Sequence, residues 1–216
     1  MYRHALVVAL GISSWLVVNA VWIELSLLVP NAPEGYSLAS WMAAALQCAN
    51  IFPLFYSFAA MYRDPPLPYT VSISAIICMG ILAICLLARY WSFTAHIFGQ
   101  NRSVALIALV FFGGALDCTS SVVYWPFISQ FDKSYSSALA TGESLSGSMP
   151  ALIAFLQIPL DGDPRFGPDA FFAIIAALLS LSLLAFTTLH LDAFRPSSGD
   201  EPPPRSPVAP VAPAAP

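Results

Sequence analysis

Polar residues recur at helical spacing inside stretches that are otherwise apolar. Trp15, Asn19 and Trp22 are separated by four and three residues, so they share one face of a helix. An amide between two indoles suits a flat ligand, because the rings can stack on it and the amide can bond its edge. The alternative is that Asn19 bonds a neighbouring helix. Glu24 lies on another face, where interfacial solvation or a salt bridge is expected.

A second apolar stretch carries a carboxylate within a polar stripe. Asp117, Ser120, Ser121 and Tyr124 are spaced as neighbours on one helix face. Ionisable groups inside a membrane span are costly and normally face a cavity or a partner. Asp117 and Ser121 are therefore predicted to face a cavity and are included among the candidate ligand-binding residues, and Asp117 could also take part in proton movement. A structural hydrogen bond to another helix is the alternative for Asp117.

Two further polar groups interrupt apolar stretches. Gly142 and Ser146 form a pair of small residues that permits close approach of another helix, but packing does not account for Glu143 beside them. Asn50 shares a helix face with Gln47, and both either bond another helix or line a cavity. We include Glu143 and Asn50 among the predicted substrate-binding residues.

The pattern does not indicate an enzyme. His4, His96 and His190 are isolated from one another, so we predict no metal site. The segment 142–146 lacks the last glycine of G-x-S-x-G, and no glycine-rich phosphate loop is present in the sequence. We therefore predict no catalytic residues and no cofactor. The net charge of -4, without a basic run, argues against nucleic acid as a partner.

The composition requires lipid as the main solvent. Of the 216 residues, 58% are hydrophobic and 9% are charged, whereas roughly 25% are charged in soluble domains. A spanning helix needs about 20 apolar residues. Six segments meet this requirement: 5–29, 38–61, 70–93, 103–127, 138–159 and 170–191. The sequence predicts an all-α, multi-pass bundle over residues 1–194, surrounded by the lipid bilayer.

The end of the chain and the distribution of basic residues predict a disordered tail and an orientation in the membrane. Residues 195–216 are rich in proline and alanine and cannot bury enough apolar area to order, so we expect a disordered tail. With six predicted spans, five basic residues lie on the side of the membrane that holds the N-terminus, and three lie on the opposite side. The positive-inside bias therefore places the N-terminus and the tail in the cytosol.

Five sequence blocks resemble the eukaryotic riboflavin transporters of the solute carrier class, in the same order and with similar spacing. They are GISSWLVVNAVWIEL (11–25), PEGYSLASW (33–41), CANIFPL (48–54), LDCTSSVVYWPFIS (116–129) and GESLSGSMPALIAFLQ (142–157). Within these blocks, five residues match characteristic positions of the family: Trp15, Asn19, Glu34, Asp117 and Glu143. Glu34 falls in the first external loop, where it could help to admit substrate or could cap the second helix.

The resemblance implies riboflavin uptake across the plasma membrane. Family members have about eleven spanning helices in two unequal halves, with an architecture like that of the major facilitator carriers and the substrate between the halves. This chain resembles the N-terminal half alone. We expect a short or truncated form that works by alternating access, with a second half-carrier or a second copy of itself as a possible partner. The alternative is a non-transporting half that dimerises with or regulates full-length transporters.

Overall fold

The computed structural model describes residues 2–64, 67–97, 99–158 and 163–193, and these residues are mainly helical. Within them lie eight α-helices: α1 (Tyr2–Ile12), α2 (Leu16–Leu28), α3 (Leu38–Ala49), α4 (Ile51–Tyr62), α5 (Tyr69–Tyr90), α6 (Val104–Ile128), α7 (Ser134–Gln157) and α8 (Pro168–Ala193). Two 3-10 turns, Val29–Asn31 and Gly35–Ser37, connect α2 to α3. The predicted tail, 195–216, lies outside the described residues.

The lengths of the apolar helices support a membrane bundle but do not confirm six spans. Within the described ranges, four segments are long and apolar enough to cross a membrane: Gly35–Tyr62, Tyr69–Tyr90, Val104–Ile128 and Pro168–Asp192. The first predicted span is broken, because α1 and the segment Leu16–Asn31 meet at 51°; counted as one, this bent pair is a fifth span. The fifth predicted span coincides with α7, which has 24 residues but is less apolar than the other long helices.

A short hairpin departs from the all-α prediction. Strand β1 (Ala95–Ile97) pairs antiparallel with β2 (Gln100–Arg102), and Gly99 adopts a positive φ of 78° at the turn. Glycine tolerates this backbone conformation because it has no Cβ. Each strand has only three residues, which is too short for an alternating apolar pattern to reveal it.

Helix α6 lies at the centre of the bundle and packs against α2, α3, α4, α5 and α7, while α1 packs against α7 and α8. The predicted close approach at the small-residue pair is confirmed. A Cβ atom added to Gly142 would collide with the Val8 carbonyl oxygen, and one added to Gly11 would lie 2.5 Å from the Leu139 oxygen. Helices α1 and α7 are therefore in backbone contact, which holds the first half of the broken span in place.

Candidate functional site

The break between α1 and α2 begins at two serines that bond the end of α1. The Ser13 hydroxyl donates to the Leu10 carbonyl at 2.6 Å, and the Ser14 hydroxyl donates to the Gly11 carbonyl at 2.8 Å. The same two carbonyls also accept hydrogen bonds from the Ser13 and Ser14 backbone N–H groups, both at 3.1 Å, in place of the partners that a continuing α-helix would supply. Backbone and side chain of the two serines thus satisfy the end of α1, and Trp15 leaves the helical conformation before α2 begins.

Asp117 of α6 bonds the start of α2. Its side chain is fully buried, and its Oδ2 atom accepts a hydrogen bond from the Val18 backbone N–H at 2.6 Å. The first N–H groups of a helix have no partner within it, so a carboxylate placed there stabilises the helix start. Among the described residues, no group bonds the other carboxylate oxygen, Oδ1. Asp117 therefore contacts the backbone of α2 rather than an open cavity.

Two more members of the predicted polar stripe contact the residues between α1 and α2. The Ser120 hydroxyl donates to the Asp117 carbonyl at 2.8 Å and lies 3.2 Å from the Ser14 carbonyl oxygen, so the two carbonyls share its one hydrogen. The Tyr124 hydroxyl lies 2.9 Å from the Ser13 hydroxyl. Ser120 and Tyr124 are both buried. Ser121, the remaining member, is partly exposed. Asp117, Ser120 and Tyr124 of the stripe are thus buried against the break between α1 and α2, whereas Ser121 is partly exposed.

The predicted indole and amide groups lie at the start and in the first two turns of α2. Trp15 and Trp22 are each 38% exposed, and Asn19 lies partly buried between them in the sequence. The Asn19 amide nitrogen is 3.5 Å from the Ser146 hydroxyl of α7, and a Cβ atom added to Gly147 would lie 3.5 Å from the same nitrogen. Asn19 therefore faces α7 at a point where small residues leave room for its side chain.

Glu143 of α7 links the surroundings of Asn19 to α6 through a hydrogen bond. Its carboxylate accepts a hydrogen bond from the Trp125 indole N–H at 3.1 Å, and its backbone carbonyl accepts one from the Ser146 hydroxyl at 2.6 Å. Trp125 is exposed and follows Ser121 by four residues on α6. Our sequence analysis missed Trp125, although that spacing places it on the same helix face as Ser121.

We use the name indole–amide surface for six residues that these hydrogen bonds and helical spacing relate to one another. They are Trp15, Asn19, Trp22, Ser121, Trp125 and Glu143. These residues offer three indole rings, one carboxamide, one hydroxyl and one carboxylate. Such a set can stack on an aromatic ring and can both donate hydrogen bonds to its polar edge and accept them.

Glu34 and Asn50 occupy other places in the fold. The Glu34 carboxylate accepts hydrogen bonds from the Ser103 N–H at 2.7 Å and from the Ser103 hydroxyl at 2.8 Å. Ser103 immediately precedes α6, so Glu34 stabilises the start of α6 and not that of the second predicted helix. Asn50 lies exposed between α3 and α4, where its amide donates to the backbone and side-chain oxygens of Gln47, both at 3.2 Å.

The expectation that Glu24 is solvated at an interface was wrong. Glu24 is 1% exposed. It accepts a hydrogen bond from the Gln157 side chain at 2.9 Å, and the same nitrogen of Gln157 donates to the Phe166 carbonyl at 3.1 Å. Sequence spacing did not indicate this contact, because Gln157 ends a helix 133 residues later.

Comparison with known proteins identifies the family. The family model described as "Solute carrier family 52, riboflavin transporter" matches residues 1–159, which is most of the chain. The chain belongs to this family. It is therefore a member of a family of membrane transporters and not of enzymes.

Individual relatives agree with this assignment. The chain is 35% identical to the zebrafish (Danio rerio) solute carrier family 52 riboflavin transporter member 3-A, over 88% of the chain and 48% of the relative. It is 33% identical to the Caenorhabditis elegans riboflavin transporter rft-1, over 95% of the chain and 51% of the relative. Human member 3 is 36% identical over 71% of the chain. The chain spans about half the length of the first two relatives. No solved structure matches it at a significant level.

Proposed function

We propose that this chain takes part in riboflavin transport and contacts the isoalloxazine ring through the indole–amide surface. The observation that supports this most directly is the Asn19 amide beside the Ser146 hydroxyl, on a helix whose start also carries two exposed indoles, Trp15 and Trp22. A flavin ring is flat and carries donors and acceptors along one edge. Stacking on Trp15 or Trp22 with the edge on Asn19 uses both properties of the ring.

The predicted site residues take different roles in this proposal. Trp15, Asn19, Trp22, Ser121 and Glu143 contact the substrate. Asp117 acts through α2, because its bond to the Val18 N–H fixes the helix that carries Asn19. Glu34 and Asn50 shape the surrounding helices. The family membership supports riboflavin as the substrate, since the relatives are named riboflavin transporters.

A second helical bundle completes the site in this proposal. Gln47 and Asn50 are exposed near the middle of the segment Gly35–Tyr62. Their side chains bond each other, but each remaining polar atom that faced acyl chains without a partner would cost several kcal/mol. A covering bundle, supplied by another half-carrier or by a second copy, removes that cost. Transport then proceeds by alternating access, with one bundle rocking against the other in the plasma membrane, and both ends of this chain lie in the cytosol.

Uptake of labelled riboflavin tests the transport role. Cells would express this chain alone or together with a full-length relative, each as wild type and as Asn19→Ala. Asn31→Ala is the matched control, because Asn31 bonds only the Leu27 carbonyl in the turn after α2. We expect uptake that Asn19→Ala abolishes and Asn31→Ala leaves unchanged. If the chain alone gives no uptake but alters that of the relative, the regulatory alternative replaces transport.

Flavin fluorescence quenching by the purified chain tests the site separately. Removing a stacking indole costs about 1–3 kcal/mol for aromatic bases, so Trp15→Ala should weaken binding about tenfold or more. Trp91→Ala is the control, since Trp91 follows α5, away from the indole–amide surface. Equal weakening by both substitutions would contradict the proposed placement of the ring.

A further inference from the structure

A second feature lies apart from the indole–amide surface, between α3, the hairpin and α6. It is a groove of about 500 Å³, within the range of small-molecule sites, which is about 300–1,000 Å³. Trp41 and Ala45 form one wall, Ile97 and Arg102 lie at the hairpin end, and the first two turns of α6, from Val104 to Phe111, form the other wall. None of these residues belongs to the predicted substrate site.

Arg102 provides the single charged group of the groove. Its guanidinium carbon lies 5.1 Å from the centroid of the Trp41 ring, a distance at which the cation is attracted to the ring face. The guanidinium also donates to the Gln100 side-chain oxygen. No carboxylate of a described residue forms an ion pair with it, and both oxygens of the nearby Glu34 are bonded by Ser103. Arg102 is thus held in place with further donors directed to no acceptor in the described chain.

The rest of the groove is apolar. All of its other lining residues are hydrophobic, and the α6 wall from Val104 to Phe111 runs about 10 Å along the helix. Arg102 lies in the hairpin just before α6, whereas Phe111 lies within the apolar span. A cation at the end of a span with an apolar channel below it matches the order of groups in a phospholipid.

We propose that this groove binds one ordered phospholipid, with its phosphate on Arg102 and an acyl chain along the wall of α6. A phospholipid uses both properties of the groove, because its phosphate pairs with Arg102 and its acyl chain packs on the apolar walls. A flavin fits less well, because its ring edge and its hydroxylated side chain would find no polar partner other than Arg102. The lipid packs the hairpin against α3 and α6, and it forms a binding site separate from that for the transported substrate.

Native mass spectrometry of the purified chain in detergent tests the proposal. The probes are dioleoyl phosphatidylglycerol and dioleoylglycerol, which share both acyl chains and differ in the phosphate headgroup. We expect one phosphatidylglycerol to remain bound and dioleoylglycerol not to. Arg102→Gln should weaken retention about tenfold, as expected for lost charge-assisted hydrogen bonds to a phosphate.

Two further substitutions separate this site from general lipid coating. Arg89 is exposed and lies 5.6 Å from the Tyr90 ring centroid, so it repeats the cation–aromatic pair at the end of α5 without lining the groove. Arg89→Gln should leave retention unchanged. Ala108→Phe should abolish retention by filling the groove, and Ala108→Leu serves in its place if the larger side chain lowers the thermal stability of the chain.

Specific results would overturn the proposal. Equal retention of the two lipids, or equal weakening by Arg89→Gln and Arg102→Gln, would show that lipid binds without the groove. Displacement of the lipid by riboflavin would reassign the groove to the substrate, and displacement by millimolar glycerol phosphate would reduce it to an anion site. Each of these outcomes leaves the uptake experiment with Asn19→Ala unaffected, so the two proposals fail independently.

Discussion

Two apolar segments long enough to cross a membrane are interrupted, and the interruptions are stabilised in different ways. Between α1 and α2 the chain bends by 51°, and buried side chains of α6 contact the backbone of Ser14 in the break and of Val18 in the first turn of α2. Between α3 and α4 only Asn50 intervenes, and its amide bonds Gln47, three residues earlier. The first break is fixed by a distant helix, whereas the second is satisfied by its own neighbours in the sequence.

The second break has a local cause. Pro53 has no N–H, so the Ala49 carbonyl loses the donor that would continue the helix, and the next bond, from the Leu54 N–H to the Asn50 carbonyl, is long at 3.5 Å. The first break contains no proline, and it persists because Asp117, Ser120 and Tyr124 bond it. The first break therefore combines local bonds from Ser13 and Ser14 with buried contacts from α6, whereas the side-chain bonds that the structure shows at the second break are local.

Asp117→Ala should produce the largest effect, because the Val18 N–H would be left unbonded inside the bundle and a cavity would form beside it. We expect the free energy of unfolding to fall by about 2–4 kcal/mol. Unfolding by dodecyl sulfate in mixed micelles measures this loss, and hydrogen exchange of the amides at 16–20 locates it.

Asp117→Asn is the matched control for that change. It keeps one carbonyl oxygen that can accept the bond from the Val18 N–H, so it should lose less than half as much stability as Asp117→Ala. Equal losses in the two variants would mean that the charge of Asp117, and not its contact with α2, stabilises the break.

Glu34→Ala should have a smaller effect. Glu34 precedes α3 and bonds Ser103 at the start of α6, so it links the segment that contains the second break to α6. The loss of both bonds to Ser103 removes a helix cap, which typically stabilises by about 1 kcal/mol. Exchange should increase at the amides of 103–106 and stay unchanged at 16–20. Increased exchange at both segments would show that the two broken spans are coupled through α6.

Tyr124→Phe should destabilise the first break by about 0.5–1.5 kcal/mol, the net contribution of one hydrogen bond. The ring stays in place, and only the contact between the phenol and the Ser13 hydroxyl is lost. Ser13→Ala removes the same contact from the other side. In a double-mutant cycle the two losses should not add, and full additivity would contradict a direct bond between them.

The sequence predicted the spans more successfully than their interruptions. Runs of about 20 apolar residues are visible without any tertiary information, and the segments of α5, α6 and α8 lie close to their predicted positions. Ser13 and Ser14 are compatible with a continuous helix, so nothing local indicated that α1 would end there. The deciding group, Asp117, lies 99 residues after Val18 in the sequence.

The same limit applies to the candidate site. Spacing predicted that Trp15, Asn19 and Trp22 share one side of a helix, because helical periodicity is a local property, but Trp15 precedes α2 and leaves the helical conformation. Spacing also grouped Asp117 with Ser121, but one helix has several neighbours, and α2 covers the first residue while the second stays partly exposed. The partner of Glu34 was not predictable, since Ser103 follows it by 69 residues.

Asn50→Ala should have the smallest effect of the four, within about 0.5 kcal/mol of the wild-type free energy of unfolding. The Asn50 side chain is exposed, its two bonds reach only Gln47, and the interruption is already imposed by Pro53. The measurement is the same dodecyl sulfate titration, with Asp117→Ala alongside it. Because the lost side chain is covered by no described helix, a second bundle packed on Asn50 would change this result. A loss above about 1 kcal/mol that appears only when a partner is co-purified would place that partner against the second break, since a buried polar group of the partner left without its bond to Asn50 costs about that much.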